Sequence, residues 1–172
     1  MTTFSRFKNR FISKLLVRLP FLAKRSVAAY HPPESREIPW TPVAKKLNKS
    51  IVALVTTAGV HHRDQKAFDM KDPNGDPSFR VIDVTKPFAG LMITHDYYDH
   101  ADADRDMNIV FPVDRLREFE QESLIGKLAD AHYGFMGHIM GPHLHTLINK
   151  TAPEVAHLLK TAGVDIVLLT PG

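Results

Sequence analysis

The stretch from Pro153 to Gly172 limits the fold of this chain more than any other. Pro153 stands where a helix can open, and residues 154–162 carry Val155, Leu158 and Leu159 at helical spacing. Gly163 then suits the left-handed residue that ends a helix. Residues 165–169 follow as an almost wholly apolar run, the kind found in strands covered on both faces. Helix, glycine and buried strand in that order point to an α/β chain with right-handed crossovers. The expected fold is a layered, open, mostly parallel sheet flanked by helices, of the Rossmann or flavodoxin type. The chain leaves the last strand through Thr170-Pro171-Gly172, where open α/β sheets gather their chemistry, so the fold is expected to be incomplete at the C-terminus. One side of that strand should then be exposed, which favours dimerisation or marginal stability.

The rest of the chain supplies elements for such a sheet. Residues 51–55 form a β-branched run, and Thr56-Thr57-Ala58-Gly59 is a turn of small residues. Strands are expected at 79–83, 91–94 and 108–111, with a turn-rich loop at 72–77. Pro112 opens a helix over 113–123 that places Leu116 and Phe119 on one face.

Charge divides the chain in two. Residues 1–50 hold eleven Lys and Arg against two acidic residues, a balance of +9. Residues 51–172 hold eleven basic against seventeen acidic residues, a balance of −6, and the two sum to +3. Residues 1–30 are therefore a basic amphipathic arm, 31–50 a Pro-rich linker and 51–172 the α/β domain. Phe4, Phe7, Phe11, Leu15 and Leu19 recur at helical spacing in the arm, so its apolar face is expected to dock on the body or a partner. Contact with a membrane surface is the weaker alternative. Nucleic acid is not an expected partner, because the acidic body repels phosphate. Arg18 and Pro20 interrupt the one stretch that resembles a signal segment, and no run reaches transmembrane length, which fits the cytoplasm. The chain has no cysteine, so it holds no disulfide, zinc–thiolate site or thiol nucleophile.

The densest polar cluster, residues 94–106, holds two histidines and five aspartates behind an expected strand. Imidazole beside carboxylate suits general acid–base work, metal ligation or a hydrogen-bonded loop. His95, Asp96 and His100 are the metal candidates, although Asp96-Tyr97 departs from the His-x-His-x-Asp-His pattern of metallo-β-lactamase-like hydrolases. A second group comprises His132, His138, His143 and His145, where Gly134 and Gly137 suggest close backbone approach. His143 and His145 point to one side if that stretch is extended. With His61 and His62 at the end of the first strand, these residues are expected to line a cleft. No G-x-S-x-G elbow, dinucleotide loop or P-loop is present.

Several of these segments occur together in one known family. They are Trp40-Thr41-Pro42, the run from Val52 to His61, Gly75-Asp76-Pro77-Ser78-Phe79-Arg80, and His95-Asp96-Tyr97-Tyr98-Asp99-His100. Asp102 to Asn108 leading into Phe111-Pro112, Gly134-Phe135-Met136-Gly137-His138, and Asp165 to Pro171 complete the set. Over residues 40–172 the chain resembles the selenoprotein B family of glycine, betaine, sarcosine and D-proline reductases, with the basic arm outside the resemblance. In that family a strand ending in a Leu-Leu-Thr-Pro-like stretch precedes selenocysteine or cysteine, two residues, and cysteine. The resemblance implies thiol- or selenol-dependent reductive cleavage of a small amino-acid-like substrate, assisted by a redox partner protein and performed by a possible homo-oligomer. It places the selenocysteine immediately after Gly172, where a UGA codon read as a stop would close the frame. It implies that His61, His95, Asp96, His100, Asp104 and His138 surround that residue, positioning substrate or moving protons. A metal-dependent hydrolase and a non-catalytic binding module are the alternative expectations.

Overall fold

The computed structural model describes residues 3–19, 21, 24, 28 and 40–172. Residues 31–39 of the expected linker lie outside the described residues, as does most of the end of the arm. Strand β1, Ile51–Thr56, forms the centre of the sheet. On one side it pairs in parallel with β5, Lys127–Leu128, and with β6, Ala131–Phe135. On its other side runs β7, Ile166–Thr170, also parallel, from Val52↔Ile166 to Thr56↔Thr170. Strand β3, Phe79–Asp83, adds an antiparallel edge on β6. The expected α/β fold, with its mostly parallel sheet, is the one observed.

Both faces of β1 are covered, so it is continuously apolar rather than alternating. Val52 and Leu54 face a core with Ile82, Phe111, and Val113 and Leu116 of helix α2, Val113–Gln121. A small antiparallel pair closes the same face: β2, Val60–His62, and β4, Leu91–Ile93. Ala53 and Val55 face Tyr133, Phe135, Val155 and Leu159 on the opposite side. The last two belong to α4, Ala152–Thr161, which continues from α3, Pro142–Thr146, through a π-helical turn at Leu147–Thr151. Gly163 ends α4 with φ of 71°.

Two expectations change. Residues 108–111 are not a strand: Met107–Ile109 is a 3-10 turn capped by the Asp106 carboxylate. Its apolar residues are spent on the core instead, with Phe111 wholly buried. The Val110 carbonyl beyond it accepts hydrogen bonds from the Thr56 and Thr170 hydroxyls at 3.0 and 2.7 Å, tying the ends of β1 and β7 together. Phe119 of α2 is exposed while Leu116 is buried. Strand β7 is apolar and open on one side, the exposure expected for it, with Leu169 71% exposed.

His132 has a structural role. β5 and β6 are separated by Ala129-Asp130, and at this break the Leu54 N–H donates to Nδ1 of His132 at 2.7 Å instead of to a strand carbonyl. The ring is fully buried, edge-on to Phe111, and burial lowers its pKa to about 4. Replacing His132 with Leu is expected to orphan the Leu54 N–H and cost about 1–3 kcal/mol, read as a lower urea midpoint. An unchanged midpoint would remove His132 from this role.

Candidate active site

The carboxyl ends of β1 and β7 meet at one point. The Thr57 N–H donates to the Thr170 carbonyl at 3.0 Å, and Gly172 lies against Ala58. The approach is so close that a Cβ on Gly172 would stand 2.4 Å from the Ala58 Cα. Just beyond, the Gly59 carbonyl accepts from the Thr94 N–H at 2.9 Å, which fastens the aspartate- and histidine-rich loop to the same edge. The Tyr98 hydroxyl donates to the Ala58 carbonyl at 3.0 Å, and its ring packs against His95 with centroids 4.7 Å apart. One side chain thus connects the terminal residue's neighbour to the loop.

His95 is almost wholly buried. The Tyr97 N–H donates to its Nδ1 at 3.1 Å, so the neutral ring carries its proton on Nε2. Burial first, then the nearby rings of His100 and His138, lowers its pKa to about 4. Tyr98 is shifted the other way, raised by burial and by Asp104. At neutral pH the pair therefore presents two uncharged hydrogen-bonding groups. His138 stacks on Tyr97, with ring centroids 3.8 Å apart and 16° between planes, and donates from Nε2 to the Pro73 carbonyl at 2.9 Å. His100 donates from Nδ1 to Asp104 at 2.8 Å and lies edge-on to Tyr98. His61, on β2, donates from Nδ1 to the His62 carbonyl at 2.7 Å and accepts from the Thr94 hydroxyl at Nε2, 2.8 Å. Its pKa is lowered, chiefly by burial.

The six sequence candidates therefore gather around the 94–104 loop. The donors of His95, Asp96 and His100 do not converge: His95 Nδ1 faces the Tyr97 amide, Asp96 takes Arg6, and His100 takes Asp104. Among the described residues no group of three or more His, Cys, Asp or Glu is arranged to hold a metal ion. The single cleft expected for the remaining histidines does not form. His132 is in the core, and His62 accepts from the Asp83 N–H at 3.0 Å. His143 and His145 sit on helix α3, so they do not alternate as in a strand; His143 pairs with Asp72 at 2.8 Å while His145 is exposed. A larger open cavity of about 590 Å³ lies there, lined by Asp69, Asp72, Asp76, Arg80 and His143. One oxygen of each carboxylate accepts from a turn amide, of Lys71, Asn74 and Ser78 in turn.

Sequence reasoning missed four contributors. Tyr97 and Tyr98 stand within the polar cluster, but their ring contacts need coordinates. Thr94 looks like the end of a strand. Arg6 has no signal, because its partner Asp96 lies ninety residues away.

Fold and loop placement together define an α/β chain with a polar site at the carboxyl ends of its parallel strands. Residues 7–172 match the family model of glycine/sarcosine/betaine reductase selenoprotein B, and the chain belongs to that family. The match takes in most of the arm, which the motif resemblance leaves outside. The chain is 44% identical over 133 residues to the D-proline reductase subunit gamma of Acetoanaerobium sticklandii, covering 77% of this chain and 53% of that one. It is 32% identical over 140 residues to the glycine reductase complex component B subunit gamma of Carboxydothermus hydrogenoformans, with 80% and 32% covered. It is 31% identical over 142 residues to the betaine reductase complex component B subunit beta of Peptoclostridium acidaminophilum, with 80% and 31% covered. The chain thus spans about half the length of the first relative and about a third of the other two. No solved structure matches. Among the described residues no helix is long and apolar enough to cross a membrane.

Proposed function

We propose that this polypeptide is the strand-end half of the active site in a cytoplasmic reductase-complex subunit that reductively cleaves a small amino-acid-like substrate. The observation that carries the proposal is the chain of contacts Gly172–Ala58–Tyr98–His95, which sets the polar loop beside the end of β7. A selenol or thiol placed directly after Gly172 would supply the electrons, as a nucleophile ionised near neutral pH. The neighbourhood fits an anionic chalcogen, because the loop tied to the strand end through Tyr98 carries a neutral imidazole with Nε2–H. His95, held neutral, positions and polarises through Nε2–H rather than acting as a proton store. His100, oriented by Asp104, is the residue suited to deliver a proton to the leaving group. His61 and His138 fix the two flanks of the loop.

Sequencing the gene beyond Gly172 tests the redox assignment. The expected result is a UGA codon followed by an in-frame Pro-x-Cys-like stretch. A different terminator with no open frame behind it would overturn it. In the polypeptide extended through that residue, with a dithiol as reductant and D-proline or glycine as assayed substrate, His95→Gln is expected to lower kcat by about 10²-fold. An unchanged kcat would remove His95 from the chemistry.

A further inference from the structure

Helix α1, Thr3–Arg18, meets the body in the opposite sense to its sequence pattern. Its apolar stripe faces outward: Phe7 is 69% and Phe11 59% exposed. The face turned to the body carries buried Ser13 and half-buried Asn9 and Leu16, with Arg6 at its edge. Arg6 forms a two-point contact with Asp96, Nε to Oδ2 at 2.6 Å and Nη2 to Oδ1 at 3.3 Å, and Asp96 is only 4% exposed beneath it. Arg6, Arg10 and Lys14 recur every fourth residue, so they share one helix face. Arg10, Ser13 and Lys14 close a crevice of about 60 Å³ against Tyr98, Asp99, His100 and Asp104. Arg6 thus binds the acidic loop directly, while Arg10 and Lys14, both exposed, rim the crevice beside His100 and Asp104. The helix itself carries no acidic residue.

From these contacts we infer that α1 is a charge-latched lid over the 94–104 loop, with Arg6 as its latch on Asp96. The inference rests on that loop being the active site. Closed, the lid shields Asp96 and narrows the approach to His100 to a crevice too small for an amino acid. Opening it exchanges the Arg6–Asp96 ion pair for water, while Phe7 and Phe11 of the apolar stripe are already outside. Such a closure is weakened by salt, whereas a helix docked by its apolar face is not.

The absence of cysteine gives a direct test. Ser13 is on the inner face of α1 at 6% exposure, so in residues 1–172, which hold no cysteine, Ser13→Cys places a single thiol at the closed interface. Its alkylation rate by a neutral maleimide reports opening. Adding Arg6→Ala, or raising salt from about 0.05 to 1 M, is expected to speed labelling by about fivefold or more, with Arg6→Lys in between. Exchange of the Tyr97 and Tyr98 amides, followed in the unmodified chain over the same salt range, should accelerate in parallel. A thiol that labels at the unfolded rate in low salt would overturn the lid. So would labelling and amide exchange that ignore both salt and Arg6→Ala. Neither readout depends on turnover: a failed lid leaves the reductase reading standing, and a failed UGA test leaves the lid standing.

Discussion

Acidification from pH 7 to pH 4 is expected to remove on the order of 5 kcal/mol of folding stability through His95 and His132 alone. Both rings are buried and have pKa values lowered from 6.5 to about 4. Between those values the unfolded chain binds a proton on each ring that the folded chain refuses. Stability therefore rises with pH across this window and is lost as pH falls through it. A tenfold difference in proton affinity between folded and unfolded chain corresponds to about 1.4 kcal/mol, so each ring contributes about 3 kcal/mol. That is a large part of the roughly 5–15 kcal/mol that holds a domain folded. His61 acts in the same direction. Aspartates with lowered pKa, such as Asp76, add their loss only at lower pH. Urea unfolding followed at several pH values, with the ring protons of the two histidines observed by NMR, checks this. Rings that titrate near 6.5, or a urea midpoint constant from pH 7 to about 4.5, would refute it.

The second large effect is at Gly134. Substituting alanine there is expected to cost about 3 kcal/mol or more and to move β2 away from the sheet. Gly134 lies within β6, paired with Thr56 of β1 and Arg80 of β3, so it has no freedom to retreat. An added Cβ would lie 2.1 Å from the carbonyl oxygen of Val60, a backbone atom, and near the buried Ile82 side chain. Val60 is the first residue of β2, and His61 follows it. The displacement therefore reaches the candidate site: the His61–Thr94 hydrogen bond should weaken along with global stability. Thermal unfolding and the His61 ring shifts measure both. A Gly134→Ala protein with unchanged melting temperature and unchanged His61 resonances would contradict the close approach.

In the sequence, the glycines of the 134–138 segment signal close backbone contact, and at Gly134 the structure supplies it. The polar 94–106 cluster is likewise legible as a strand-end loop, because a short apolar run followed by aspartates and histidines has few other places to go. Its internal chemistry is not legible. Which histidine is neutral, which is paired and which only stacks depends on neighbours such as Tyr98, Thr94 and Pro73, brought together by sheet register. His132 shows the same limit in reverse. Its residue type puts it among cleft candidates, and only the β5–β6 break shows that it serves as a substitute backbone acceptor.

Periodicity and chain punctuation by themselves determined the strands at 51–55 and 79–83, the helix–glycine–strand ending and hence the α/β class, because local pattern dictates which residues need burial. Tertiary structure alone decided how the arm sits. Its apolar repeat predicts docking by Phe7 and Phe11, yet Arg6 pairs with a carboxylate ninety residues on and the helix turns Ser13 and its neighbours inward. Hydrophobic spacing records what a helix can bury; which side it does bury is set by the charges of the surface it meets, and those are assembled only when the chain folds.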